Sequence, residues 1–277
     1  MSRLKTSGFT LIELIMVIVI VGILSTMTTD IITLPVKSYL DLERRTALVD
    51  SAEMALRRMQ RDIRQALPNS IRMLDASGEV LVSGSGVGIE FLHVAEGGRY
   101  RANFMSDTSD PDYPGDILNF TDSSDNSFEV IGSLKNTPTS GDKLVIYNVG
   151  SSGADAYVGG NRRTITNTST VDTVVFNSVS PAKPFPFESP QQRFFIVDMP
   201  IAYICDAGEL KRYDNYTING TPTNGKKQAK SNSISCVFTY DPGTNTRAGL
   251  VTLTITLKDE AEESVKLMHQ VHVDNMP

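Results

Sequence analysis

Tryptophan is absent from this chain, and cysteine and histidine are scarce, two of the first and three of the second. Each shortage removes a class of chemistry. Cys205 and Cys236 are too few and too far apart for a zinc site built on cysteine pairs. His269 and His272 lie three apart in a strand-like run, so they point to opposite faces and do not chelate one metal. His93 has only Glu90 and Glu96 at hand, and all three histidines read as ordinary strand residues. No Gly-x-Ser-x-Gly nucleophile elbow occurs. Gly84-Ser-Gly-Val-Gly88 enters a strand instead of opening a helix, so it is no phosphate cradle. An enzyme is not expected, nor a cofactor. An adhesin-like binding head is a further alternative; exposed aromatic clusters would support it, yet there is no tryptophan and the tyrosines are scattered among strand-like runs.

Charge narrows the partners. The formal net charge is −6 over 277 residues, and an acidic body argues against nucleic acid as a partner. Arg57, Arg58, Arg61 and Arg64 form a basic cluster. No aromatics interleave with it to stack bases, so it reads as a solvated or partner-facing helix side. Gly225-Lys-Lys-Gln-Ala-Lys230 reads as a solvated basic loop.

What the chain does have is an apolar run. Between Phe9 and Leu24 only Thr10, Glu13 and Gly22 are not large apolar residues. From Phe9 to Met27 the run makes roughly 28 Å of helix, close to a bilayer core. No small-residue cleavage site of a secretory signal follows Leu24; the distinctive junction, Gly8-Phe9, lies before the run. Arg3 and Lys5 precede the span and Asp30 is the first charge beyond it, which puts the leader in the cytoplasm and the bulk outside. Glu13 is the anomaly, since an acid just inside a greasy helix is costly in lipid. Thr10-x-x-Glu13 is a capping box, which accounts for the helix end but not for its placement where the chain enters lipid.

Beyond the span the helical period continues to Pro68. The expectation is one helix over 9–67, about 88 Å long, with a membrane-spanning part at 9–34 and an amphipathic part at 35–67. Pro35 should kink or interrupt it. Asp41 with Arg45 and Glu53 with Arg57 are acid-before-base pairs four apart. Residues 1–8 form a short basic leader and 68–277 a head.

The head reads as β throughout. Strands are expected at 71–74, 80–82, 88–94, 100–104, 117–120, 128–131, 143–148 and 173–179. A second series follows at 193–197, 201–205, 209–213, 233–240, 250–257 and 264–273. Val251-Thr-Leu-Thr-Ile-Thr-Leu257 alternates as an antiparallel strand buried on one face does. The fold class is therefore α+β, a long N-terminal helix followed by an antiparallel β-rich head. Four prolines at 180–190 either divide the head into two subdomains or cross a single one. Outside the cytoplasm Cys205 and Cys236 should form a disulfide, worth about 3–4 kcal/mol on the chain-entropy model. An acidic stretch offers Asp110, Asp112 and Asp116 as a candidate calcium loop. It lacks EF-hand spacing and reads better as solvated turns, so no metal is expected.

Gly8-Phe9-Thr10-Leu11-Ile12-Glu13 ahead of an apolar helix resembles the class III leader of type IV pilins and type II secretion pseudopilins. The resemblance implies that a prepilin peptidase cuts between Gly8 and Phe9 and that the new Phe9 amine is methylated. It also implies that Glu13 meets a neighbour's Phe9 ammonium during assembly. The stretches 64–72, 203–205, 210–213 and 236–242 are similar to the MshO-like minor pilins of the mannose-sensitive haemagglutinin (MSHA) pilus, whose heads exceed a major pilin's. The implied partners are the peptidase, other major and minor pilins, the inner-membrane assembly platform and the bilayer. The implied location is a single pass of the inner membrane, head periplasmic, and later the fibre. A minor pseudopilin of type II secretion shares every leader feature.

Overall fold

The computed structural model describes residues 8–81, 84–111, 114–177, 183–243 and 247–273, apart from the side chains of 27–30 and 32. The chain divides into two compact units, Met1–Ala47 and Leu48–Pro277. One helix, α1, runs Leu11–Arg64 and carries Pro35 inside it without interruption. It is shorter than the expected 9–67. The C-terminal difference has a cause: Leu67 donates its N–H to the Leu92 carbonyl at 2.8 Å, and Val94 donates to that of Gln65. The backbone that would have extended the helix pairs with a strand instead, just before Pro68.

In the first unit, α1 is exposed on all sides. From Leu11 to Leu24 its large apolar side chains are at least 49% exposed. Among the described residues no helix is long and apolar enough to cross a membrane. The described apolar stretch runs from Leu11 to Thr26, where residues with undescribed side chains begin.

In the second unit the strands are β1 (Arg72–Leu74), β2 (Ser85–Gly86), β3 (Gly88–Arg99), β4 (Ser127–Glu129), β5 (Lys143–Val145), β6 (Arg162–Thr164) and β7 (Thr173–Val175). They continue with β8 (Arg193–Asp206), β9 (Glu209–Tyr213), β10 (Lys226–Lys227), β11 (Ser233–Asp241), β12 (Gly249–Lys258) and β13 (Ser264–Val273). A seven-stranded sheet has the order β1-β3-β8-β5-β6, with β9 on β8 and β10 on β9. A four-stranded sheet runs β13-β12-β11-β2, and β4 pairs β7. Every pairing is antiparallel, so the unit is the helix-plus-antiparallel-head of an α+β fold.

Several expected strands come out differently. The two runs at 193–197 and 201–205 are one strand, β8, which passes through Pro200. Leu92 faces Pro200 in the register, yet its N–H goes to Ser70 Oγ and its carbonyl accepts from Leu67. The Leu92·Pro200 pair is therefore a non-hydrogen-bonded one, and the missing proline N–H faces the gap on β8 between Val197, where pairing with β5 ends, and Ala202, where pairing with β9 begins. The expected strand at 100–104 is instead one isolated bridge, Tyr100 to Val130. That at 117–120 is irregular, with Leu118 and Phe120 buried as packing residues. The expected strands at 80–82 and 173–179 run partly outside the described residues, as does the proline-rich segment before 183.

Two cores result. The stripe Leu48, Ala52, Ala55, Leu56, Met59 and Ile63 repeats every three or four residues, and all are at most 5% exposed. It packs with Phe91, Tyr203, Phe238 and the inner residues of β12, whose burial alternates along the strand as its sequence does. A second core lies among Tyr100, Phe128, Phe176, Phe185 and Phe194, with the Phe128 and Phe194 rings edge-on at 5.0 Å. Strand β8 serves both, giving Phe194 and Ile196 to the second core and Ile201 and Tyr203 to the first, so both cores lie within one compact unit.

Candidate functional site

The N-terminal segment begins with an open backbone. A methyl group placed on Gly8 would meet nothing within 4 Å, and Phe9 is 80% exposed. Nothing within the chain's own fold demands glycine at this position. Thr10 starts the helix: its carbonyl accepts the Leu14 N–H at 3.2 Å. Its Oγ1 accepts the Glu13 N–H at 3.4 Å, and the Glu13 carboxylate accepts the Thr10 N–H at 3.5 Å. These long, reciprocal bonds make a loose capping box. The carboxylate sits at the exposed helix start, where amides left without intrahelical partners favour a negative charge.

The apolar part of the helix satisfies its own hydroxyls. Beyond the cap, its two described hydroxyls in the apolar stretch turn inward. Ser25 Oγ donates to the Val21 carbonyl at 2.7 Å and Thr26 Oγ1 to that of Ile23 at 2.8 Å. Both polar groups are thus satisfied without water.

The other singled-out residues lie in the head. Cys205 on β8 and Cys236 on β11 are disulfide-bonded, with Cα atoms 5.9 Å apart. The bond ties the two large sheets together inside the first core. Of the calcium candidates, Asp112 lies outside the described residues. Asp116 accepts Ser127 Oγ at 2.6 Å, and Asp110 donates its N–H to the Asp107 carbonyl. Asp107 and Asp122 each close a turn on the serine two residues on, and those hydrogen bonds hold both carboxyls below the usual range. Among the described residues no three metal-ligating side chains converge. His93 Nδ1 lies 2.7 Å from Asp198 and its Nε2 3.4 Å from Gln65.

Charge pairs on α1 differ from the sequence pattern in one place. Asp41 pairs with Arg44 at 2.9 Å, not with Arg45, whereas Glu53 and Arg57 pair at 2.6 Å. Two buried polar groupings were not legible in sequence. Asp62 accepts from Tyr203 Oη and from Arg212 Nε, both at 2.7 Å, joining α1 to β8 and β9. Burial, with the Asp62 charge beside it, pushes the Tyr203 hydroxyl up. Glu90, 2% exposed, is gripped by Arg72 at 3.1 Å; burial nonetheless pushes its carboxyl above the usual value, against the pull of the guanidinium. Only the long-range register of β1, β3, β8 and β9 brings these groups together.

The singled-out residues therefore fall into two places, a polar start to an exposed helix and a cross-linked head. No curated protein and no solved structure matches the chain. Residues 3–29 match the family model described as the prokaryotic N-terminal methylation motif. Such a leader implies processing by prepilin peptidase and assembly with other pilins. Over residues 3–29 the chain thus carries the leader of type IV pilin-like proteins.

Proposed function

We propose that this chain is a minor pilin of an MSHA-type type IV pilus, acting in pilus biogenesis at initiation or at the tip. Prepilin peptidase cuts between Gly8 and Phe9, and the freed Phe9 amine is methylated. Residues 9–34 anchor the protein once in the inner membrane, N-terminus cytoplasmic and head periplasmic, until it enters the fibre. The chain performs no chemistry of its own; it is a substrate and then a building block.

The observation that carries this reading is the methylation motif at 3–29 running into a helix whose apolar side chains are exposed all round. Two details support it. Gly8 is open and unneeded by the fold, which fits a glycine kept for an enzyme's approach. Among the described residues the Glu13 carboxylate accepts only long bonds from Thr10, so it can be handed to a neighbour's Phe9 ammonium at small cost. Once such a pair is buried, loss of one partner costs roughly 3–5 kcal/mol, enough to set helix register. The finer MSHA-type reading draws on the similar stretches 203–205, 210–213 and 236–242. They meet in space through the Cys205–Cys236 bond and the pairing of Cys205 with Leu210.

Gly8→Ala should leave full-length protein in the membrane, read by mass spectrometry of the N-terminus; normal trimming would sink the cleavage assignment. Glu13→Ala should be trimmed normally but be missing from sheared fibres. Unchanged incorporation would reduce Glu13 to a helix cap. A minor pseudopilin shares this leader, and a secretion defect with fibres intact in a deletion strain would favour that role.

A further inference from the structure

Where α1 passes β10, the second unit holds a cleft of about 440 Å³. The buried Ser51 hydroxyl accepts the Lys230 N–H at 2.7 Å and donates to the Lys230 carbonyl at 3.2 Å, pinning the loop after β10 to the helix. Met54, 66% exposed, and the half-buried Ala229 are the apolar side chains lining the cleft, beside Ser51, Gln228, Ser231 and the two cations Lys227 and Lys230. Arg58 follows Met54 one turn along the same helix face. Lys227 is held by Glu209, but Arg58 and Lys230 make no ion pair among the described residues. A cleft that offers an exposed methionine beside cations suits a segment that offers an apolar side chain beside anions.

The chain itself carries such a segment. Leu42 is 63% exposed and stands between Asp41 and Glu43, both exposed. Asp41 is engaged only by Arg44 on its own helix, and Glu43 makes no ion pair among the described residues. We infer that the cleft receives residues 39–43 of α1 from a second copy of the chain, with Leu42 on Met54 and Ala229 and with Asp41 and Glu43 facing Lys230 and Arg58. The inference rests on the pilin-like reading, which is what brings α1 helices side by side. The two patches differ, so the contact is heterologous and does not close on itself. Two copies suffice to make it.

The test uses full-length chains co-expressed in membranes, one bearing Leu42→Cys and the other Met54→Cys, with leader trimming scored on the same non-reducing gel. The mixed pair should give a disulfide-linked dimer that neither variant gives alone. Lys230→Glu should cut the yield about threefold, the size of an exposed ion pair, and Glu43→Lys in the other copy should restore it. Trimmed chains without the 42–54 cross-link overturn this contact and leave the pilin-like reading standing, whereas untrimmed chains overturn that reading. Capture of Met54→Cys by a different protein overturns the second copy as occupant. A yield indifferent to Lys230→Glu overturns the charge pairing.

Discussion

The two units of this chain treat the same helix in opposite ways. Before Ala47, large apolar side chains of α1 stand open, Leu11 at 78% and Ile18 at 62%. After it, Leu56 and Met59 are fully buried. Mean burial does not follow from apolarity here, because the first stretch is the greasier one. The difference is in pattern. A helix apolar on every side has no single face to give to its own head, and burying it needs an environment that surrounds it, lipid or other helices. A helix with one apolar stripe finds its partner within the same chain.

The sharpest way to break that comparison is a pair of matched truncations. Leu56→Ala should lower the unfolding free energy of the head by about 2–5 kcal/mol, whereas Ile18→Ala should leave it unchanged, both read from thermal unfolding of the detergent-solubilised protein. An Ile18→Ala effect of similar size would mean that the first unit also has a core of its own.

A smaller effect probes the buried polar groups of the second unit. Burial raises the Glu90 carboxyl above its ordinary value of 4.5, so above that value the folded head still holds a proton that the unfolded chain has released. Stability from this group is therefore greatest below pH 4.5 and falls as pH rises through the raised value. Glu90→Gln should flatten that fall in a series of melts from pH 4 upward; an unchanged slope would assign it to other carboxyls.

Smallest of all is the cap. Thr10→Ala removes one side-chain acceptor and should cost about 0.5–1 kcal/mol at the helix start. It should be visible as faster amide exchange near Glu13 with no change in the head's melting. If the exchange is unaltered, the long Thr10–Glu13 bonds contribute nothing in the free chain.

The parts that were readable from sequence are those set by neighbours along the chain. The leader hexapeptide, the apolar run, the helix stripe from Leu48 to Ile63 and the alternation of β12 are all local patterns, and each has one period to detect. Strand ends were less readable. The expected strand at 88–94 ended short of Gly97 and Gly98, yet β3 continues through them because Phe194 and Phe195 on β8 pair with their backbone. Separate strands were expected at 193–197 and 201–205, yet β8 continues through Pro200 because neither β5 nor β9 pairs with it there. Strand β6, with two arginines in three residues, carries no strand pattern and exists because Leu144 pairs with Arg163.

By itself the sequence determined the class of the N-terminal segment, the helix faces and the antiparallel character of the head, because cleavage motifs and periodicity are properties of contiguous residues. Only the tertiary structure decided that β8 runs through two cores and that Asp62 finds Arg212 and Tyr203. It alone seated Lys230 on Ser51 to make a cleft with cations beside an exposed methionine. Such partners lie far apart in sequence, and which of them meet is fixed by strand register, for which the individual residues carry no local sign.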